Sequence, residues 1–84
     1  MKLVFVDESW EDYLYWQKTD KKIAEKINTL IKDISRTPFS GLGKPEPLKY
    51  NLSGSWSRRI NQEHRIVYEV IDNEILIHSL KGHY

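Results

Sequence analysis

Cysteine is absent from the 84-residue chain, so neither a disulfide framework nor a thiolate metal site is available, and a small fold without staples suits a reducing cytoplasm. The hydrophobic core alone must hold it. The length allows one domain over residues 1–84, burying roughly 60 to 65% of the surface that the unfolded chain exposes. Long apolar runs are also missing, the longest lying around EILIHSL, and MKLVFVDESW has neither the apolar stretch nor the cleavage site of a signal peptide. The expectation is a soluble cytoplasmic protein that does not enter membranes. Charge of either sign is not in excess, with 13 Lys and Arg against 12 Asp and Glu. That balance neither demands nor excludes a nucleic-acid partner. No internal repeat, low-complexity tract or helix-turn-helix is visible, so direct DNA reading is not expected.

What is present is unevenly placed. Residues 1–43 are neutral overall, whereas residues 44–65 carry five basic side chains against two acidic ones. Such a local excess is either a solvated face or a phosphate-binding surface. KLVFV at 2–6 has the apolar, β-branched character of a buried strand. SWED then opens a helix to about Lys18, with Ser9 capping the first amides and Asp12 answering three residues later. Its aromatics Trp10, Tyr13, Tyr15 and Trp16 exceed one buried stripe. Trp10 and Tyr13 are assigned to the core, and Tyr15 and Trp16 are candidates for contacts with another chain, exposed or core positions being the commoner case for each.

Ile23, Ile27, Leu30, Ile31 and Ile34 recur at helical spacing behind a capping Asp20, which predicts a second amphipathic helix ending before Pro38. SGLGKPEP follows as a loop. From Leu48 onward PLKYNL, SWSRRIN, HRIVYEVI and EILIHSLKG read as strands joined by short turns, an antiparallel meander. The predicted fold is α+β, with two N-terminal helices packed on one face of a mostly antiparallel sheet of about five strands.

The last hairpin sets which residues share a face. Pairing Ile71 with Ile75 around Asp72-Asn73-Glu74 matches apolar residues and brings Tyr68 opposite His78 and Arg65 opposite Lys81. On that register Arg65, Lys81 and His83 lie on the face away from the helices, while His78 points into the core. A two-residue Asp72-Asn73 turn would slip the pairing by one position and reverse this arrangement.

The tail KGHY is an ordinary chain end unless His83 joins a constellation. An arginine, a lysine and a histidine on one face can bind an anion. Cleaving RNA by its own 2′-hydroxyl requires more: a base for that proton, an acid for the leaving 5′-oxygen and a cation for the phosphorane, with no metal or cofactor. Histidine suits the acid, its reference pKa being about 6.5. Glu46, between two prolines, is the nearest carboxylate in the basic segment, although a solvated loop residue is the commoner meaning of such a glutamate.

The stretches KPEPLK, LSGSWSRRI and EHRIVY, with SWEDYLYW near the start and HY at the end, resemble the YoeB toxins of bacterial toxin–antitoxin systems, in the RelE-like superfamily. The resemblance covers essentially the whole chain. It implies an mRNA endonuclease that enters the ribosomal A site, cuts the codon there and inhibits translation. It assigns Glu46 as general base, Arg65 as transition-state cation, His83 as general acid and Tyr84 as the aromatic that orients the substrate. Lys49, Lys44 and Arg59 fall at phosphate-contacting positions. It implies no metal and no cofactor. The implied partners are a YefM-like antitoxin, the ribosome with its mRNA, and a second copy of the chain, with DNA reached only through the antitoxin. A ParE-like gyrase inhibitor and a non-catalytic RNA- or protein-binding module are the rival expectations on the same fold.

Overall fold

Strand β1 (Lys2–Phe5), helices α1 (Ser9–Thr19) and α2 (Lys21–Arg36), and strands β2 (Glu46–Pro47), β3 (Trp56–Arg59), β4 (Arg65–Ile71) and β5 (Glu74–Ser79) make up the chain. They come from a computed structural model that describes residues 1–82. The two helices cover one face of a five-stranded sheet of order β1-β5-β4-β3-β2. Only the β1–β5 pair is parallel.

Helix α2 forms as its periodicity predicts. The Asp20 Oδ1 accepts from the Lys22 and Ile23 amides at 3.1 and 3.2 Å, satisfying two orphan donors of the first turn. Ile27, Leu30 and Ile34 then fall on one fully buried stripe and meet Ile66, Tyr68, Ile75, Ile77 and Leu80 of the sheet. Each such aliphatic side chain contributes about 1.5–3 kcal/mol.

Helix α1 departs from expectation in two ways. The capping box does not form: Ser9 is buried with its Oγ unpartnered, and Asp12 accepts instead from the Leu80 amide at 3.2 Å. Trp10 also lies outside the core expected for it. Trp16 is the buried one, its Nε1 donating to the Leu80 carbonyl at 2.9 Å, while Trp10 is 47% exposed and stacks on Tyr13. Four rings within about two turns of one helix cannot all aim inward, and Leu80, just after β5, supplies an acceptor for Trp16.

Three expectations about the strands are corrected. β1 is an edge strand rather than a buried one, with Leu3 exposed. PLKYNL yields only the two residues of β2 before a 3₁₀ turn over Tyr50–Leu52. The last hairpin takes the slipped register: Asp72 and Asn73 both adopt positive φ, so Ile71 pairs with Glu74 and Val70 with Ile75. Ile75 and Ile77 therefore enter the core, and His78 turns to the helix-free face, 2.6 Å from Glu69. An irregularity at Val67/Tyr68 restores the alternation and returns Leu80 to the core. Lys81 does not join Arg65, since its Nζ lies 3.8 Å above the Tyr15 ring on α1. Among the described residues, no helix is long and apolar enough to cross a membrane.

Candidate functional site

Alternation along β3 decides what the helix-free face carries. Trp56 packs against the core and Arg58 is fully buried, so Ser57 and Arg59 face the other way. Residues directly opposite in a sheet share a face. Glu46 is opposite Ser57, Ser57 opposite Val67, and Arg59 opposite Arg65. One row therefore reads Glu46, Ser57, Val67, and the next places Arg59 beside Arg65. Ser57 and Val67 are buried, Glu46 and Arg59 exposed, and Arg65 half-buried. Two strand spacings across and two residues along separate the Glu46 and Arg65 Cα atoms by about 12 Å, a gap that two long side chains can close around a phosphate.

The approach of the loop before β2 explains the remaining lysines. Gly43 has φ 80°, and a Cβ there would lie 3.0 Å from both the Arg59 carbonyl oxygen and a Leu30 methyl. Only glycine fits, and its carbonyl accepts from the Arg59 amide at 2.6 Å. That bond sets Lys44, which follows Gly43, next to Arg59. Lys49 lines a cleft of about 370 Å³ together with Glu46, Tyr50 and Leu52. Arg65 does not line this cleft.

Arg58 fastens that loop from beneath. Its Nη1 donates to Asp33 Oδ2 at 2.6 Å and to the Leu42 carbonyl at 3.1 Å, its Nη2 to the carbonyls of Thr37 and Ser40 at 2.6 and 2.9 Å, and its Nε to the Tyr68 hydroxyl at 3.1 Å. The Leu42 amide and the Arg58 guanidinium hold the Asp33 carboxyl below the usual carboxylate range. Burial pushes the Tyr68 hydroxyl up, against the opposing effect of the Arg58 hydrogen bond. One of the five basic residues between 44 and 65 is thus neutralised internally and adds nothing to the surface.

At the other end of the row, the Arg65 Nη1 donates to the carbonyls of Asn61 and His64 at 2.9 and 3.3 Å, pinning the guanidinium to the turn before β4. The Arg65 amide donates to the Gly82 carbonyl at 3.0 Å, and the Gly82 amide donates to His64 Nδ1 at 2.8 Å. In its neutral form the His64 ring therefore carries its proton on Nε2. That ring meets Trp16 edge-on at 4.8 Å. Leu80 and Gly82 are in this way tied to α1, to His64 and to Arg65. His83 and Tyr84, two of the predicted site residues, lie outside the described residues. The others divide into Glu46, Arg59 and Arg65 on one sheet face, Lys44 beside Arg59, and Lys49 in the adjoining cleft. Sequence reasoning missed Arg58, His64 and Trp16, which hold the surrounding backbone; the Arg58-Arg59 doublet was the available signal, since one of two adjacent strand residues must face inward.

The chain matches the family described as YoeB-like toxin of bacterial type II toxin–antitoxin system over residues 5–84. Toxin YoeB of Escherichia coli strain K12 is 66% identical over 84 residues, all of both chains being covered. A YoeB/ParE toxin from Agrobacterium tumefaciens superposes with a TM-score of 0.97 at 52% identity over all of both chains. YoeB of Staphylococcus aureus, solved in complex with YefM and as a dimer, superposes at 0.93, covering 100% of this chain and 98% of that one, at 52% identity in a complex and 53% in the dimer.

Proposed function

The chain belongs to the YoeB-like toxin family of bacterial type II toxin–antitoxin systems, and on that premise we propose that it is a metal-independent endoribonuclease that cuts mRNA in the ribosomal A site. Glu46 takes the proton of the 2′-hydroxyl, and the freed oxygen attacks phosphorus. The P–O5′ bond breaks as His83 protonates the departing 5′-oxygen, leaving a 2′,3′-cyclic phosphate and a 5′-hydroxyl. Arg65 balances the added negative charge of the phosphorane, and Tyr84 orients the nucleotide. Lys44, Lys49 and Arg59 neutralise neighbouring phosphates. No cofactor takes part.

The observation that carries this reading is the shared face of Glu46 and Arg65, two strands apart, with Gly82 hydrogen-bonded to the Arg65 backbone just before the terminal dipeptide. The 84 residues act as a single cytoplasmic domain. A YefM-like antitoxin restrains it and links it to DNA, and a second copy forms its homodimer, as in the S. aureus complex and dimer.

Inducing the protein in cells and mapping new 5′-ends on messages tests the proposal. Cuts in phase with codons are expected. Glu46→Gln should lower cleavage by about 10²- to 10⁴-fold while the protein stays folded by circular dichroism, because Glu46 is exposed and lies outside the core. Full-speed cutting by that variant would sink the assignment. Intact messages accompanied by stalled gyrase supercoiling would replace it with the ParE-like activity.

A further inference from the structure

Tyr50 is 90% exposed, the most exposed large hydrophobic side chain among the described residues. Its ring contributes nothing to the core. The backbone makes the residue odder still: φ is 59°, the left-handed region that glycine or asparagine occupies at lower cost than tyrosine. The loop around it is nonetheless tied down. Leu48 donates to the Ser55 carbonyl at 2.9 Å, Leu52 to Lys49 at 3.1 Å, Ser53 to Tyr50 at 3.0 Å and Ser55 to Leu52 at 3.0 Å. Leu48 anchors the base of this loop in the interior. A rigid mount thus presents a bare aromatic ring.

The position of that ring selects its occupant. Tyr50 lines the same cleft of about 370 Å³ as Glu46 and Lys49. An ammonium can hold a phosphate, an aromatic face can take a base, and a carboxylate can accept a proton from the sugar hydroxyl, so one cleft carries groups for all three parts of a nucleotide. We propose that Tyr50 is a stacking platform for a nucleobase next to the linkage that is cut, making it a substrate-positioning residue that favours unpaired RNA over duplex. This rests on the ribonuclease reading. A protein contact would use an exposed tyrosine equally well, but nothing in that alternative requires the cationic and carboxylate neighbours.

The test uses the full chain and a single-stranded 2′-O-methyl oligoribonucleotide, which lacks the attacking hydroxyl and cannot be cut. Fluorescence anisotropy should show Tyr50→Ala weakening the Kd by about 5- to 150-fold, and Tyr50→Phe by less than about 3-fold. The thermal midpoints of both variants should match the parent. On programmed ribosomes Tyr50→Ala should raise KM more than it lowers kcat. Equal oligonucleotide affinity for parent and Tyr50→Ala overturns the proposal, as does absence of binding by the parent. Loss of self-association with RNA affinity intact overturns it in favour of a protein contact. If the parent cuts nothing yet Tyr50→Ala still loses affinity, the ribonuclease reading fails and takes the positioning role with it, whereas cutting by the parent with equal affinity for both proteins overturns the stacking platform alone.

Discussion

Replacing Arg58 with lysine preserves charge and removes geometry. The guanidinium spends all its donors on five acceptors: Asp33, three backbone carbonyls and the Tyr68 hydroxyl. A lysine ammonium has three donors, so at least two of those acceptors lose their partner. Each orphaned acceptor costs about 1–3 kcal/mol when buried. The carbonyls here are part-buried, which points to the lower end, about 2 kcal/mol in all. At roughly 4–8 °C per kcal/mol for a domain of this size, the midpoint should fall by about 8–16 °C. Arg58→Met should cost more than the lysine variant, because all five acceptors then lose their donor. Thermal and urea melts followed by circular dichroism read both. The sign of the pH dependence is a second check. Asp33 has a folded pKa below its unfolded one, so its contribution is present above the ordinary carboxylate pKa of about 3.9 and is lost as pH falls through the lower folded value. Asp33→Asn should remove that acid limb. A lysine variant melting within about 2 °C of the parent would refute this account of the loop.

Trp16→Phe keeps the ring in the core and deletes the indole N–H that holds the Leu80 carbonyl. It should cost about 1–2 kcal/mol in urea denaturation and lower cleavage further than the stability loss explains, since the released segment leads to His83. Gly43→Ala forces a Cβ against the Arg59 carbonyl at φ 80°. It should destabilise by more than about 1 kcal/mol, whereas the same change at Gly82, whose added Cβ would meet nothing within 4 Å among the described residues, should cost only the strain of its positive φ.

Helix α2 was fully legible because two independent signals coincide in it, the spacing of five aliphatic residues and the Asp20 cap. The β5 register was not. Ile75, Leu76 and Ile77 are all apolar, so alternation cannot say which pair faces inward. The turn decides, through the left-handed backbone of Asp72 and Asn73. That slip moved His78 outward and would have turned Leu80 out of the core, had the irregularity at Val67/Tyr68 not compensated. Arg65 could be assigned to the helix-free face from its alternation with Ile66 and Tyr68. Glu46 could not be, since a two-residue strand carries no pattern and its face follows from pairing with Ser57. The tryptophans of α1 were indistinguishable in sequence because the distinguishing acceptor, the Leu80 carbonyl, comes from the far end of the chain.

The parallel pairing of β1 with β5 sets Lys2 opposite Glu74, 72 positions later. During synthesis the first strand emerges long before its only neighbour exists, and closing so large a loop is an entropic toll collected late. Until β5 arrives, α1 has neither a carbonyl for Trp16 nor an amide for Asp12. A nascent chain therefore holds β1 and α1 without their anchor until residues 74–80 emerge, although β2, β3 and β4 can already pair with one another.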